Sequence, residues 1–356
     1  MLCLISLWPN VYNILIGIIL WSTWITVIPF QVVYILEISD NPVELMTAIC
    51  DFASEMSAFV RLFIAWSKRN LIIEMAEDWA KCKVKKTRET QVSCFVGRLD
   101  FYIYLGAIVM FFPKLVIAYI SDIPENRQFL LKTSYPFEAY KSPIYEIIIL
   151  IHFGQGMLMA ISDVMPATLI VALVCHSGAQ LNLLENRINQ FITITKSINV
   201  TDEKIDLSIG GILTKHKKNI KFAERIEKTL SIISLVQCLC NGVTIGCAGL
   251  VFVMSKDPLD IVRFFVYLMM KLIHTFAFCY SGEYIMNKSA AIAHVVYDCN
   301  WYHLSPKYVK TLQLIILRGQ IPFQLTAGGF FVLSAETFTL ILKASGSYMS
   351  MLRATY

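Results

Sequence analysis

The residues with the clearest chemical potential are ionisable side chains that stand inside long apolar segments. Such groups are costly in a membrane, so they usually pair with one another or face a water-filled cavity. We expect most of them to form structural pairs that stabilise a helix bundle. A secondary transporter is the alternative, although the sequence shows no internal repeat of the kind that many transporters contain. The residues concerned are Asp51, Glu55, Arg61, Asp163, Arg263, Lys271, His274 and Glu283.

The sequence lacks the patterns that enzymes and metal sites require. It contains no His-Glu-x-x-His, Gly-x-Ser-x-Gly, P-loop or dinucleotide-binding motif. Its ten cysteines show no zinc-site spacing. No basic run is interleaved with aromatic residues outside the apolar segments, as a nucleic-acid-binding surface would need. We therefore predict that the protein is not an enzyme, uses no cofactor or metal and does not bind nucleic acid.

The composition points to a membrane protein. Of the 356 residues, 56% are hydrophobic and only 16% are charged, whereas soluble domains carry about 25% charged residues. So few charges cannot cover the surface of a soluble protein of this size, and lipid must cover much of it. The N-terminal segment lacks the basic region and small-residue cleavage site of a signal peptide. We predict an all-α, polytopic membrane protein.

Seven apolar runs are long enough to cross a membrane, which takes about 20 residues in a helix. The fourth is longer than a bilayer requires. The predicted spans are 11–36, 43–66, 101–120, 143–175, 230–254, 261–285 and 326–352.

The basic residues between the spans set the predicted orientation. Eight Lys and Arg residues lie in the connection 67–100 and nine in the connection 176–229, but none lies in 37–42 and only Lys256 lies between spans five and six. Lys and Arg are enriched in cytoplasmic loops. We therefore predict an inverted topology relative to G-protein-coupled receptors, with the N-terminus inside and the C-terminus outside.

Apolar residues also recur at helical spacing within the basic connections. One stripe contains Leu181, Leu184 and Ile188, and another contains Leu312 and Ile315. Such stripes must be buried, either within the chain or between subunits of an oligomer. The sequence 319–322 contains Gly and Pro, which end a helix, so we predict that the last element is split into a cytoplasmic half and a transmembrane half.

These features predict five regions. Residues 1–175 hold spans one to four with cytoplasmic extensions, and 176–229 form a cytoplasmic connection and part of a helical anchor. Residues 230–285 hold spans five and six, 286–322 form a cytoplasmic anchor helix, and 323–356 form the last span.

The C-terminal third carries a series of motifs in a fixed order. They are Trp301-Tyr302-x-Leu304, Leu314-Ile-Ile-Leu317-Arg318-x-Gln320-x-Pro322, Leu325-Thr-Ala-Gly328, Thr337-Phe338 and Lys343-Ala-Ser345-x-Ser347-Tyr348-x-x-x-Leu352. This order resembles the terminal signature of insect odorant receptors. Related gustatory receptors end in a Thr-Tyr…Gln-Phe pattern that is not matched here. This departure favours the odorant branch, and a gustatory-type channel is kept as the alternative. The 54-residue connection 176–229 is shorter than that of the family's constant co-receptor, which favours an odorant-tuned subunit.

The resemblance implies a ligand-gated, non-selective cation channel in the plasma membrane of sensory neurons. Members form tetramers, usually of a tuning subunit with the co-receptor, and need no G protein for channel activity. The last helix of each subunit lines the pore, and a volatile odorant binds in the outer half of the bundle. All of these properties are expectations for the present chain.

A candidate pore face lies on the last span, where residues at three- and four-residue spacing share one side of the helix. Small and hydroxylated side chains alternate there with bulky apolar ones, as a wettable pore with a hydrophobic gate requires. Close packing of small residues between membrane helices is the alternative. By motif position, Met351 and Thr355 resemble the outer gate. The face comprises Thr337, Leu340, Ala344, Ser347, Met351 and Thr355.

A candidate ligand pocket follows from the same resemblance, where the outer halves of spans two, three, four and six converge. Aromatic, Met and aliphatic side chains bind volatile apolar ligands by burial and shape. Tyr267 or His152 is placed to orient a carbonyl or hydroxyl group. Ordinary helix packing is the alternative for each residue. The candidates are Ile49, Phe52, Ala53, Gly106, Met110, Phe111, Tyr145, His152, Met159, Phe264, Tyr267 and Leu268.

Overall fold

The structure is a computed structural model, and it is almost entirely helical. It describes residues 24, 26–38, 42–81, 129–195, 202–255, 258–299 and 301–355, together with positions 91, 95, 98, 102 and 106. In chain order the elements are α1 (Thr26–Glu37), α2 (Pro42–Ser67), α3 (Arg69–Lys81), α4 (Ile144–Thr195), α5 (Asp202–Met254), α6 (Pro258–Tyr297), a 3-10 turn (Trp301–His303), α7 (Pro306–Gly319), β1 (Thr326–Ala327), β2 (Phe331–Val332) and α8 (Ala335–Thr355).

Three helices of the described part are long and apolar enough to cross a membrane. They comprise Ile144–Thr193 in α4, Ile205–Met254 in α5 and Ile261–Tyr297 in α6. Helix α1 is apolar but shorter, whereas α2 and α8 have 26 and 21 residues and carry several charges. The predicted all-α class is confirmed. The predicted span 101–120 lies outside the described residues except for positions 102 and 106.

The longest helices run well past the thickness of a bilayer. Helix α4 has 52 residues and α5 has 53, so each is about 80 Å long, against about 30 Å for the hydrocarbon core. Helices α4 and α5 are therefore far longer than one membrane crossing requires, and the parts of α4, α5 and α6 outside the predicted spans share a hydrophobic cluster with α7. We call residues 176–195, 202–229, 286–299 and 301–319 the extension.

The apolar stripes of the extension are buried within the chain. Leu184, Ile188 and Ile209 lie in the same hydrophobic cluster as Leu312 and Ile315 of α7. The sequence left open whether these stripes are buried within the chain or between subunits of an oligomer. For these side chains the structure shows burial within the chain.

Helix α3 is tied to α5 by polar contacts. The guanidinium of Arg225 donates to Glu74 at 3.0 Å and to Asp78 at 3.1 Å. The ammonium of Lys68 donates to the carbonyl oxygen of Lys228 at 2.6 Å, and burial together with the Lys228 charge lowers the pKa of Lys68. These contacts hold the end of α2 beside the start of the extension.

The predicted span 326–352 is wrong at its beginning, because its first residues form a hairpin. Thr326 pairs with Val332 and Ala327 with Phe331 in a two-stranded antiparallel ladder. Gly328 and Gly329 form the turn with φ of 64° and 78°, a backbone conformation that glycine adopts without strain. Helix α8 therefore starts only at Ala335.

The hairpin is anchored on both sides. The carboxylate of Glu227 accepts the backbone N–H of Thr326 at 2.8 Å, and the Gly328 N–H donates to the carbonyl of Ser231 at 2.9 Å. The carboxylate of Glu283 accepts the N–H of Ala335 at 2.8 Å. A carboxylate at a helix N-terminus complements the helix dipole, so Glu283 fixes the first turn of α8.

Candidate ligand and pore sites

A buried ionic network joins α2, α4, α5 and α6. One oxygen of Asp163 lies 2.5 Å from the Arg61 guanidinium, and the other accepts a hydrogen bond from the Lys271 ammonium. Arg61 and Lys271 are only 1% and 2% exposed. Arg61 also donates to Gln237, whose amide donates to Asn241 at 3.2 Å. The expectation of structural ion pairs is confirmed for Arg61, Asp163 and Lys271.

The remaining ionisable residues of the spans have other surroundings. Glu283 binds the start of α8, as described above. The Arg263 guanidinium lies 5.4 Å from the ring centre of Phe264, within cation–π range. The carboxylate of Glu55 accepts a hydrogen bond from the Gln155 amide at 3.1 Å.

The predicted ligand residues of α2 and α6 lie together. Ile49, Phe264 and Tyr267 belong to one apolar cluster, and the Tyr267 hydroxyl is 2.7 Å from that of Ser54. Phe52, Ala53 and Leu268 are half-buried.

The predicted ligand residues of α4 lie in two other groups. Tyr145 and His152 surround Phe129, with ring centres 5.7 Å and 5.8 Å from it, and His152 Nε2 is 3.0 Å from the Tyr135 hydroxyl. Met159 packs in a separate cluster with Trp24.

The candidates from the third span are mostly not described. Gly106 is helical and exposed, and a methyl group added there would meet no atom within 4 Å. Met110 and Phe111 lie outside the described residues. The structure therefore brings the predicted ligand residues together in groups.

One face of α8 packs against a glycine series on α5. Gly246 lies so close that an added Cβ would be 2.9 Å from the Tyr348 ring, and the Ser345 hydroxyl donates to the carbonyl of Gly242 at 2.9 Å. Small residues let membrane helices approach closely. This contact fixes which side of α8 faces the rest of the chain.

The predicted pore residues lie mainly on the opposite side of α8. Leu340 and Met351 are 51% and 61% exposed, and Ala344 and Ser347 are also exposed in the single chain. Thr337 departs from this group, because it is buried and its hydroxyl donates to the carbonyl of Val332 at 2.5 Å. The backbone of Thr355 ends the helix, and its side chain lies outside the described atoms.

The exposed side of α8 also carries polar residues that were not predicted as pore residues. Lys343 and Ser350 are exposed there beside Ser347. Their spacing from Leu340 and Ser347 already places them on the same half of the helix, so the sequence contained the signal. The predicted face left them out because it followed a single line of three- and four-residue steps that starts at Thr337.

A cavity of about 300 Å³ lies where residues 321–325 cross between α5 and α6. Its lining includes Val174, Ser177, Glu227, Arg318 and Phe323. Among the described residues that line it, none is a predicted ligand residue. The cavity adjoins the hairpin that precedes α8.

Comparison with known proteins identifies relatives along most of the chain. The family model described as "7tm Odorant receptor" matches residues 41–346. Odorant receptor 13a of Drosophila melanogaster is 26% identical over 247 residues, covering 65% of this chain and 59% of that protein. Odorant receptor 10 of Aedes albopictus is 29% identical over 227 residues, covering 62% of this chain and 58% of that protein. The matched part thus spans less than two thirds of these relatives.

Solved structures match the fold more completely. The insect olfactory receptor OR5 from Machilis hrabei superposes with a TM-score of 0.77 at 15% identity, covering 97% of this chain and 90% of that one. The same receptor in complex with eugenol gives 0.71 at 16% identity, covering 98% and 91%. With the family model matched over most of its length, this multi-pass membrane chain belongs to the 7tm odorant receptor family.

Proposed function

We propose that this chain is an odorant-tuned subunit of a ligand-gated, non-selective cation channel whose pore is lined by α8. The observation that carries the proposal is the side of α8 that presents Lys343, Ser347 and Ser350 away from the chain. Charged and hydroxylated groups are costly against lipid. A water-filled conduit between subunits removes that cost, and the exposed Leu340 and Met351 supply hydrophobic constrictions that gate by dewetting.

The ligand site in this proposal lies between α2, α4 and α6, with the segment 101–120. A related fold binds eugenol, a small aromatic odorant, in the solved Machilis receptor. The side chains gathered here around Phe264 and Phe129 are mostly apolar and aromatic. Apolar ligand surface transferred from water contributes about 25 cal/mol per Å², so shape and burial supply most of the affinity.

The orientation and the partners complete the proposal. The basic connections 67–100 and 176–229 lie in the cytosol, so the N-terminus is inside and α8 ends outside the cell. Four subunits surround the pore, with the family's co-receptor contributing the others. The complex acts in the plasma membrane of sensory neurons and needs no G protein.

The direct test is expression with the co-receptor in cells that lack other odorant receptors. A panel of volatile compounds should evoke inward cation current that persists when G-protein signalling is blocked. Loss of the current under that block would contradict a channel mechanism. Solute uptake coupled to protons or sodium, without channel conductance, would select a transporter instead.

The pore and pocket assignments predict a double dissociation. Met351→Ala should change conductance or ion selectivity and leave the rank order of ligands unchanged, because Met351 lies on the exposed side of α8. Phe264→Ala should change the rank order and leave unitary conductance unchanged, because Phe264 lies in the apolar cluster of α2 and α6. Single-channel recording and concentration–response curves measure both. A Met351→Ala variant that alters only ligand preference would refute the pore assignment.

Lys343 gives a second test of the pore. A positive charge that faces the conduit disfavours cations, so Lys343→Glu should raise the permeability of Ca²⁺ relative to Na⁺ by several-fold, measured from reversal potentials. Lys310→Glu is the matched control, because Lys310 is exposed on α7, in the extension. Equal reversal potentials for the two variants would show that Lys343 does not face the conduit.

A further inference from the structure

The cavity beside the hairpin has a wall that the fold holds in place. This wall is the segment 321–325, which is bonded to two helices. The Arg318 guanidinium of α7 donates to the carbonyl of Ile321 at 2.7 Å and lies 5.5 Å from the ring centre of Phe323. The N–H of Phe323 donates to the hydroxyl of Ser289 on α6 at 2.8 Å. The cavity of about 300 Å³ is therefore preformed, as small-molecule sites usually are.

The cavity lies at the level where three predicted membrane spans meet the basic connections. Its lining includes four residues at or within two positions of those span ends, namely Val174, Ser177, Lys228 and Ile285. In the proposed orientation this level is the cytoplasmic face of the membrane, the leaflet in which anionic lipids are concentrated. The ligand groups around Phe264 and Phe129 contain none of these four residues, so the cavity is a separate site.

One lining residue, Ser177, has a hydroxyl without a partner. The side chain is 1% exposed, and its Oγ makes no hydrogen bond. Ser162, Ser234 and Ser281 are buried in the same way, but each donates to the carbonyl three or four residues earlier at 2.7–2.8 Å. A buried hydroxyl that is left unpaired is costly. Ser177 therefore indicates that an occupant of the cavity supplies an acceptor.

The charges of the lining favour an anion. Within the described part of the chain, neither Arg318 nor Lys228 forms an ion pair. Glu227 also lines the cavity, but its carboxylate is bonded to the N–H and the hydroxyl of Thr326. Glu224 is exposed, where solvent weakens its effect on a neighbouring charge. A head group at this position therefore meets two basic side chains and one screened carboxylate.

The rest of the lining suits a hydrocarbon chain. It is formed mainly by aliphatic and aromatic side chains, namely Val174, Ala223, Ile226, Ile285, Phe323 and Leu325. The occupant must therefore combine an anionic group, an acceptor oxygen and an apolar chain. A phospholipid carries these three parts in that order, as phosphate, ester carbonyl and acyl chain.

We propose that the cavity binds an anionic phospholipid of the cytoplasmic leaflet. Its phosphate lies between Lys228 and Arg318, an ester carbonyl accepts a hydrogen bond from Ser177, and part of one acyl chain fills the apolar lining. The choice of leaflet rests on the orientation in the proposed function, whereas binding itself requires no channel activity. Because the segment 321–325 leads through the hairpin to α8, the bound lipid braces the approach to the proposed pore helix.

The experiment measures the Tm of the purified full chain in a non-ionic detergent with lipids that share the same acyl chains. Dioctanoylphosphatidylglycerol should raise the Tm at about tenfold lower concentration than dioctanoylphosphatidylcholine or dioctanoylglycerol, because two basic side chains attract its net charge. Glycerol 3-phosphate has the phosphate without the chains and should leave the Tm unchanged. A rise with glycerol 3-phosphate would reveal a site for a free anion instead of a lipid. That result, or equal effects of the three lipids, would overturn the proposal.

The ester contact has a test of its own. Ether-linked phosphatidylglycerol lacks the carbonyl acceptor and should bind about threefold more weakly than the ester to the wild-type chain. In Ser177→Ala the two lipids should bind alike, and the Tm without lipid should not fall, because the Ser177 hydroxyl has no protein partner. Ser234→Ala is the matched control, since this buried serine bonds to its own helix, and it should keep the ester preference. A preference that survives in Ser177→Ala would refute the contact.

The two basic side chains are tested together. Lys228→Gln with Arg318→Gln should reduce the preference for phosphatidylglycerol over phosphatidylcholine to below about threefold. Lys217→Gln with Lys310→Gln is the matched control, because both lysines are exposed in the extension and neither lines the cavity. An unchanged preference in the first pair would overturn the proposal.

A single variant keeps the test decisive if the loss of Arg318 prevents folding. Lys228→Gln alone should reduce the lipid preference by about threefold, because the Lys228 side chain makes no ion pair that the fold would lose. All of these readouts are Tm values of the isolated chain. Failure of lipid binding therefore leaves the channel proposal standing, and absence of odorant-evoked current leaves the lipid site standing.

Discussion

Replacing Asp163 with alanine is expected to abolish most of the folded protein at the cell surface. Asp163 is the common partner of Arg61 and Lys271, which come from different helices and are both buried. Without the carboxylate, two positive charges remain inside the bundle without their counter-charge. Removing one partner of a buried ion pair costs about 3–5 kcal/mol, a large fraction of the stability of an ordinary domain.

The measurement is the Tm of the purified protein together with its elution profile in detergent. Asp206→Ala is the matched control, because Asp206 pairs with Lys307 at 2.9 Å in an exposed position, where solvent screening leaves an ion pair little effect on stability. Asp163→Glu keeps the charge and should retain more folded protein than Asp163→Ala. If Asp163→Ala and Asp206→Ala have the same Tm, the network is not what holds the four helices together.

The same network shows where sequence reasoning stops. The unusual position of each charge within an apolar run was visible, and pairing was the correct expectation for Arg61, Asp163 and Lys271. The sequence did not show which charges pair with each other. Arg61 and Lys271 are 102 and 108 residues from Asp163 along the chain, so their pairing depends on the rotation and depth of three separate helices. Periodicity fixes the face of one helix and says nothing about its register against another.

The hairpin illustrates a different limit. The run 326–352 is apolar enough to be interpreted as one span. The prediction followed this hydrophobicity and disregarded the Gly328-Gly329 pair. Two consecutive glycines between two short apolar runs are a turn signal. In the structure the two glycines form the turn, and both have positive φ.

The stripes of the extension were the most predictable part. Leu184 and Ile188 recur at helical spacing in a basic connection, and their burial within the chain follows from the need to cover an apolar face. The ligand groups were the least predictable. His152 was selected for its hydrogen-bonding ring, but its contact with the Tyr135 hydroxyl depends on how the loop before α4 lies against that helix, which helical periodicity does not give.

Gly282 on α6 is expected to be intolerant of even one added methyl group. A Cβ at this position would lie 2.4 Å from both the Cβ and the carbonyl oxygen of Leu333. Leu333 is held in turn by its N–H, which donates to the carbonyl of Leu325 at 2.8 Å. Because a backbone oxygen at that distance cannot move alone, Gly282→Ala must push the exit of the hairpin away from α6.

The consequence reaches α8 directly. The neighbouring Glu283 accepts the N–H of Ala335, where α8 begins, so a displaced hairpin also loosens the first turn of the proposed pore helix. Forcing extra atoms into a packed site costs about 1–3 kcal/mol. Gly282→Ala should therefore lower Tm and reduce odorant-evoked current by more than the loss of surface protein explains.

Gly154→Ala on α4 is the matched control, because a Cβ there meets no atom within 4 Å and alanine favours a helix over glycine by about 1 kcal/mol. Surface labelling normalises the current of each variant, and the two Tm values are compared in the same detergent. The packing of α6 against the hairpin predicts a clear difference in both readouts. If the two alanine variants behave alike, the close contact at Leu333 does not constrain the start of α8.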